Sequence, residues 1–253
     1  MAPQLELSTW EPPSAGGIRV APASGGPAVF LWAYEWNMFG AFQPGLHTHT
    51  GDQQFRAATD GERAAVGTVG ATLAATAAEG GVDLSLSVAN LTGRDWPPLA
   101  AVVPCLSPGK EDDEPVTGCF VDEGHAHTYY YGESGLERLD EREIHYQRSV
   151  RERIRERRPD GGYPWDDKWP EADRPATEPL LVRGAEGEDW SVGIAWEDSI
   201  SAQGHNPWNC MHLSVRVGPL PAGHTTSVGG RLYLLPGGPE RILERYEAEF
   251  LHD

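Results

Sequence analysis

The alternation at residues 82–88 constrains this chain more than any other feature of its sequence. Val82, Leu84, Leu86 and Val88 are apolar, and Asp83, Ser85 and Ser87 between them are polar. A period of two places one set on a buried face and the other in water, as an antiparallel sheet does. The turn Glu79-Gly80-Gly81 joins this run to a first arm at 71–77, so the pair reads as a hairpin. Further β-prone runs bounded by Gly and Pro lie at 18–20, 28–36, 99–106, 180–183, 190–196, 212–217 and 231–235. Only the end of the chain reads as a convincing helix. Pro239 sits near its first turn, and Ile242, Leu243, Tyr246 and Phe250 recur at helical spacing. The expected fold is all-β: an antiparallel β-sandwich, extending to the large super-sandwich kind, with a C-terminal α-helix.

With 253 residues the chain can bury a sizeable core without staples, and sandwiches of this size are often one domain. Residues 1–253 are accordingly read as a single domain with no internal repeat. One charged and Pro/Trp-rich insertion, at about 133–179, interrupts the strands. Its first part is dense in Glu and Arg, with Ile144, Val150 and Ile154 as sparse apolar anchors and room for a short helix at 150–157. Its second part, 159–179, carries prolines that oppose regular structure. Tyr163, Trp165 and Trp169 in that stretch need something to pack on.

The formal net charge is −18, from 38 acidic and 20 basic side chains. Such a field repels nucleic-acid phosphates and anionic membrane surfaces, so neither is an expected partner. Three cysteines, Cys105, Cys119 and Cys210, are too few and too scattered for a disulfide framework. Free buried thiols are expected, with a single Cys105–Cys119 bridge as the alternative. Residues 1–9 lack the basic and apolar regions of a signal peptide, and no apolar run approaches a membrane span. The expected location is the cytoplasm. There is no P-loop, dinucleotide fingerprint, G-x-S-x-G elbow or Cys-x-x-Cys pair.

Two His-x-His pairs are the most suggestive chemistry. His47 and His49 flank Thr48, and His125 and His127 flank Ala126. On a strand, residues two apart share a face, so each pair could present two imidazoles to a divalent metal such as Zn, Mn, Fe or Ni, or to a proton transfer. The structural alternative is polar loop histidines. Asp122 and Glu123 stand close enough in sequence to orient an imidazole of the second pair. Near the C-terminal third, His205, Asn206, Trp208, Asn209, Cys210 and His212 cluster before a strand. Trp208 offers a flat face for a sugar ring and Asn206 a hydrogen-bonding amide. Cys210 beside His205 or His212 has the makings of a nucleophile pair, although His212 could equally face the core from its strand. Trp165-Asp166-Asp167-Lys168-Trp169 sets carboxylates beside aromatic faces, an arrangement suited to glycosides or a cation, or simply to a solvated loop. Glu35, between Tyr34 and Trp36, is a carboxylate in an apolar strand.

Residues 44–54, with His47 and His49 followed by Gln53 and Gln54, resemble the first metal-binding motif of cupins. A Gln stands where that motif has its Glu ligand, and the second motif would have to be the distant Pro221-Ala222-Gly223-His224, which an ordinary turn also explains. Residues 82–109, through Asn90-Leu91-Thr92, resemble an inter-strand turn of galactose-mutarotase-like sandwiches. Residues 210–238 and 244–250 resemble the last strands and helix of bacterial β-sandwich proteins associated with sugar catabolism. The mutarotase-like resemblance implies histidines paired with a carboxylate for ring opening, for which His125 or His127, His205 and Glu35 are the nearest matches. The reading that follows is a carbohydrate- or polyol-directed enzyme using histidine acid–base chemistry (an epimerase, lyase or hydrolase), with or without help from a divalent metal at His47 and His49. Its substrate would be a small sugar-like molecule held by Trp165, Trp169, Trp208 and Asn206, and a homo-oligomer is compatible. The alternatives are a noncatalytic sugar-binding or assembly module and a cupin-like isomerase or oxygenase.

Overall fold

The computed structural model describes residues 2–10, 16–38, 40–42, 56–108, 119–122, 124–156, 169–187 and 189–251. In chain order the strands are β1 (Leu5–Trp10), β2 (Gly17–Pro22), β3 (Val29–Met38), β4 (Arg56–Thr59), β5 (Arg63–Thr68), β6 (Ala71–Ala78), β7 (Gly81–Ala89), β8 (Ala101–Pro108), β9 (Thr128–Gly132), β10 (Gly135–Arg138) and β11 (Ile144–Tyr146). A short helix α1 (Arg151–Glu156) follows, then β12 (Glu178–Gly184), β13 (Trp190–Trp196), β14 (Ser199–Gln203), β15 (Met211–Arg216), β16 (Thr225–Pro236) and α2 (Pro239–Phe250).

These strands form two antiparallel sheets. One has seven strands in the order β1-β2-β3-β8-β15-β14-β11, and the other nine in the order β10-β9-β12-β13-β16-β7-β6-β5-β4. The chain is an all-β sandwich with a C-terminal helix, as the alternation predicts. In the hairpin β6–β7, Val82, Leu84, Leu86 and Val88 are all buried, while Asp83 and Ser85 are exposed. Their partners in the core between the sheets include Leu31, Val102, Leu106, Leu213 and Val215 from the seven-stranded sheet.

Each sheet also buries part of its outer face. On the nine-stranded sheet, Leu180, Val182, Ala195, Tyr233 and Leu235 receive Ile242 and Tyr246 of α2. Close approach is possible there because β13 has Gly193 under the helix: a Cβ at that position would lie 2.8 Å from Ile242 Cγ2. On the seven-stranded sheet, Met38, Val103, Ile144, Tyr146 and Ile200 pack with Val150 and Ile154 around α1 and with Trp169.

The described part of the insertion, residues 133–156 and 169–179, is more regular than its composition implies. It supplies β10 and β11, which edge the two sheets, and its three sparse anchors, Ile144, Val150 and Ile154, are all in the second core. Arg151 and Arg155 both reach Glu171, so the charge density is partly a paired network. All three cysteines are free, and the alternative Cys105–Cys119 bridge is not formed. No helix among the described residues is long and apolar enough to cross a membrane.

Candidate functional site

Sheet register assembles the first half of the site. Trp32 on β3 pairs with Cys105 on β8, Cys105 with His212 on β15, and His212 with Gln203 on β14. Facing residues on adjacent antiparallel strands have Cα atoms roughly 4.5–5.5 Å apart, so these side chains stand in one row. Met211 and Leu213, flanking His212, face the core between the sheets, which turns His212 to the opposite face. The register of β3 against β8 shifts between Trp32 and Trp36. A bulge re-aims the side chains beyond it, and here Glu35 Oε2 lies 2.8 Å from His212 Nε2. His212 is 1% exposed in its side chain and Glu35 13%.

Burial alone would lower the His212 pKa. The Glu35 carboxylate and the Cys210 sulfur more than offset it, and the imidazole rises to about 10. Cys105, Cys210 and His212 place their sulfur and nitrogen ligand atoms within 4.8 Å of one another. The two thiols split in acidity. Burial first, then Cys210, holds Cys105 well up, whereas the hydrogen bond from Cys105, with help from His212, brings Cys210 down to about 6 against its burial.

The second half forms where the turn before β9 meets the loop before β15. Arg183 on β12 shares the inner face with Leu181 and is fully buried. Its Nε donates to Thr128 Oγ1 at 2.7 Å, and its Nη1 to the Asn209 carbonyl at 2.8 Å and to Asn209 Oδ1 at 3.0 Å. Burial lowers Arg183 to about 10, with Asp122, 3.9 Å away, acting against that fall. Asp122 accepts from the backbone N–H groups of Ala126 and His127 and from the Thr128 hydroxyl. That network forces the turn that puts His125 at φ 51 and buries its ring completely. The His205 ring meets it edge-on at 5.2 Å between centroids. Burial, then the charges of Arg183, His205 and His212, push His125 down to about 2, so its ring is neutral at ordinary pH.

Several polar atoms here are buried without a hydrogen-bond partner: the donors Arg183 Nη2 and Asn209 Nδ2, and both ring nitrogens of His125, one a donor and one an acceptor in the neutral ring. The Asn206 backbone approaches His125 without hydrogen-bond geometry. Each such atom costs roughly 1–3 kcal/mol if it stays unpaired. A cluster of them is a strain that an oxygen-rich ligand or ordered water would relieve.

The structure sorts the residues expected from sequence. His125, His205 and Glu35 fall in this region, but Glu35 pairs with His212 rather than with His125 or His127. The second His-x-His pair does not lie on a strand. It sits in the turn before β9, so its two rings do not share a sheet face, and His127 is only partly buried. Asp122 is occupied by backbone donors and does not orient an imidazole. Asn206 is buried and holds its own loop, accepting from the Trp208 and Cys210 N–H groups and donating to the Cys210 carbonyl. Trp208 is 52% exposed and keeps an open face. Trp169 is instead 2% exposed, packs in the second core under Arg142, and donates from Nε1 to the His205 carbonyl at 3.1 Å. His47, His49, Glu123, Trp165, Asp166 and Asp167 lie outside the described residues. His224 is an exposed turn residue, as an ordinary hairpin connection requires. Arg183 was not expected. Its only signal is a lone cation closing the apolar run Leu180-Leu181-Val182.

No family model matches the chain, and no curated protein matches it. Among solved structures it is distantly similar to a galactose mutarotase related enzyme from Lactobacillus acidophilus, at 9% identity and a TM-score of 0.43, covering 92% of this chain and 98% of that one. A galactose mutarotase-like protein from Lactobacillus casei matches at 10% identity and a TM-score of 0.41, covering 90% and 99%.

Proposed function

We propose that the chain is an enzyme that binds a small, oxygen-rich molecule of the sugar or polyol class and epimerises it by acid–base catalysis. The observation that carries this reading is the group of buried, unpartnered polar atoms on Arg183, Asn209 and His125, with Arg183 bonded to Asn209 and the charges of Arg183 and His212 acting on His125. Such donors ask for several acceptor oxygens at once, which a polyhydroxylated ligand supplies. Neutral His125 offers one donor and one acceptor, and Arg183 offers a fixed cation. The sugar class also fits the resemblance of residues 82–109 to mutarotase-like sandwiches.

In the reaction we infer, Glu35 takes the proton of the anomeric hydroxyl while His205 gives a proton to the ring oxygen. The bond from the anomeric carbon to that oxygen breaks, and a free aldehyde forms. Ring closure on the other face reverses both transfers. His212 holds the Glu35 carboxylate in place, and Trp208 gives the sugar a flat wall. A positioned acid or base contributes about 10²–10⁴-fold. The test is polarimetry of freshly dissolved aldoses with the wild-type protein and Glu35→Gln. Wild-type acceleration that falls by about 10²–10⁴-fold in the variant supports the reading. Tight aldose binding without acceleration makes the chain a noncatalytic sugar-binding module instead. Absence of both aldose binding and acceleration removes the sugar class.

A further inference from the structure

We infer that Cys105, Cys210 and His212 form a binding site for one soft divalent cation, Zn²⁺ being the best match. The donor set is two sulfurs and an imidazole nitrogen, all three residues are buried, and the ligand atoms lie within 4.8 Å of one another. A tetrahedral zinc with Zn–S near 2.3 Å and Zn–N near 2.0 Å needs its ligand atoms about 3.5–3.8 Å apart. The existing spacing is within about 1.3 Å of that value. Harder cations such as Mg²⁺ and Ca²⁺ prefer oxygen shells and are poorly served by thiolates.

The surroundings are those of a metal site rather than of three side chains in an apolar core. Cys105 and His212 are held opposite one another by the β8–β15 register, so two of the three ligands sit on rigid strands. The third comes from a loop fixed from within: the Asn206 side chain bonds both the N–H and the carbonyl of Cys210, and Asn209 takes a positive φ of 64 just before it. Glu35 bonds His212 Nε2, as a carboxylate does when it fixes the orientation of a ligating histidine. It thereby leaves the other ring nitrogen as the ligand. Three protein ligands leave a fourth position for water or substrate. The site shares His212 with the acid–base pair proposed above, but it does not depend on that chemistry.

The experiment is a Co²⁺ titration of the reduced, chelator-treated full-length protein, followed by optical absorption. One equivalent of Co²⁺ should produce thiolate-to-cobalt charge-transfer absorption in the near ultraviolet. One equivalent of Zn²⁺ should abolish it. Cys105→Ala and Cys210→Ala should each weaken the band, and the double variant should lose it, with circular dichroism checking that each remains folded. If either single variant fails to fold, protection of both thiols from alkylation by Zn²⁺ in the wild-type protein reads the same site. Absence of the band and of protection would overturn the inference. So would Co²⁺ bound without thiolate absorption. All these readouts omit sugar, so they succeed or fail independently of the proposed epimerisation.

Discussion

His145 makes the stability of this fold depend on pH in a way that can be measured without knowing the substrate. The ring is buried on β11, tilted by 31° against the Tyr130 ring with centroids 4.0 Å apart. Its Nδ1 donates to the Arg174 carbonyl at 3.0 Å, and Nε2 lies 3.3 Å from Glu143. Burial dominates and lowers His145 from 6.5 to about 4 against the hydrogen bond to the Arg174 carbonyl; the Arg174 and Arg151 charges add to the fall and Glu137 opposes it. Glu143 adds little counter-charge in acid, because its own partial burial and then Glu141 raise its pKa. An unfolded chain takes up the proton below 6.5, and the folded chain only near 4. The stability is therefore complete above pH 6.5 and is lost as pH falls through 6.5 toward 4. The separation between those values corresponds to about 3 kcal/mol. The perturbation is His145→Phe, which keeps an aromatic ring against Tyr130 and removes the titration. Urea unfolding at steps from pH 7 to pH 4 should show the wild type losing about 3 kcal/mol more than the variant. Curves that run parallel over that interval would refute the assignment of a buried, neutral His145.

Arg183→Met should destabilise the fold by about 3–5 kcal/mol, because Asp122 and the Asn209 carbonyl lose their buried cation. Chemical denaturation measures this, and aldose binding to the folded fraction should be lost as well. Leu86→Ala opens a cavity in the core between the sheets and should cost about 2–5 kcal/mol by the same assay. Gly193→Ala pushes a methyl against Ile242 and should raise amide hydrogen exchange in α2 before the sheets are affected. Trp208→Ala should leave unfolding unchanged within about 0.5 kcal/mol, since the ring is half exposed, while raising the KM for an aldose.

The fold was legible because burial follows a period of two wherever a strand has one wet face. Residues 82–88 carry that signal in full, and the C-terminal helix carries its own 3.6-residue counterpart. Strands β4, β5 and β14 were not legible. β4 is exposed along its whole length, and β14 is buried throughout, so neither alternates. The insertion was partly legible: most charges in its described part are exposed, as a solvated face requires, while Arg151 and Arg155 also pair on Glu171 and its sparse apolar anchors carry the packing. The site was only partly legible. Glu35 stood out as a carboxylate among aromatics, but its partner His212 depends on a bulge in β3 and on strand order, which local sequence does not encode. The His125-Ala126-His127 spacing suggested a shared strand face. The Asp122 turn broke that expectation by giving His125 a left-handed backbone.

Sugar binding as proposed requires the buried donors of Arg183, Asn209 and His125 to meet the oxygens of the substrate. A crystal structure of Glu35→Gln soaked in an aldose tests this most directly. The account predicts sugar hydroxyl or ring oxygens within hydrogen-bonding distance of Arg183 Nη2, Asn209 Nδ2 and a ring nitrogen of His125, with the ring against Trp208. A sugar bound elsewhere, with ordered water alone satisfying those donors, would contradict it.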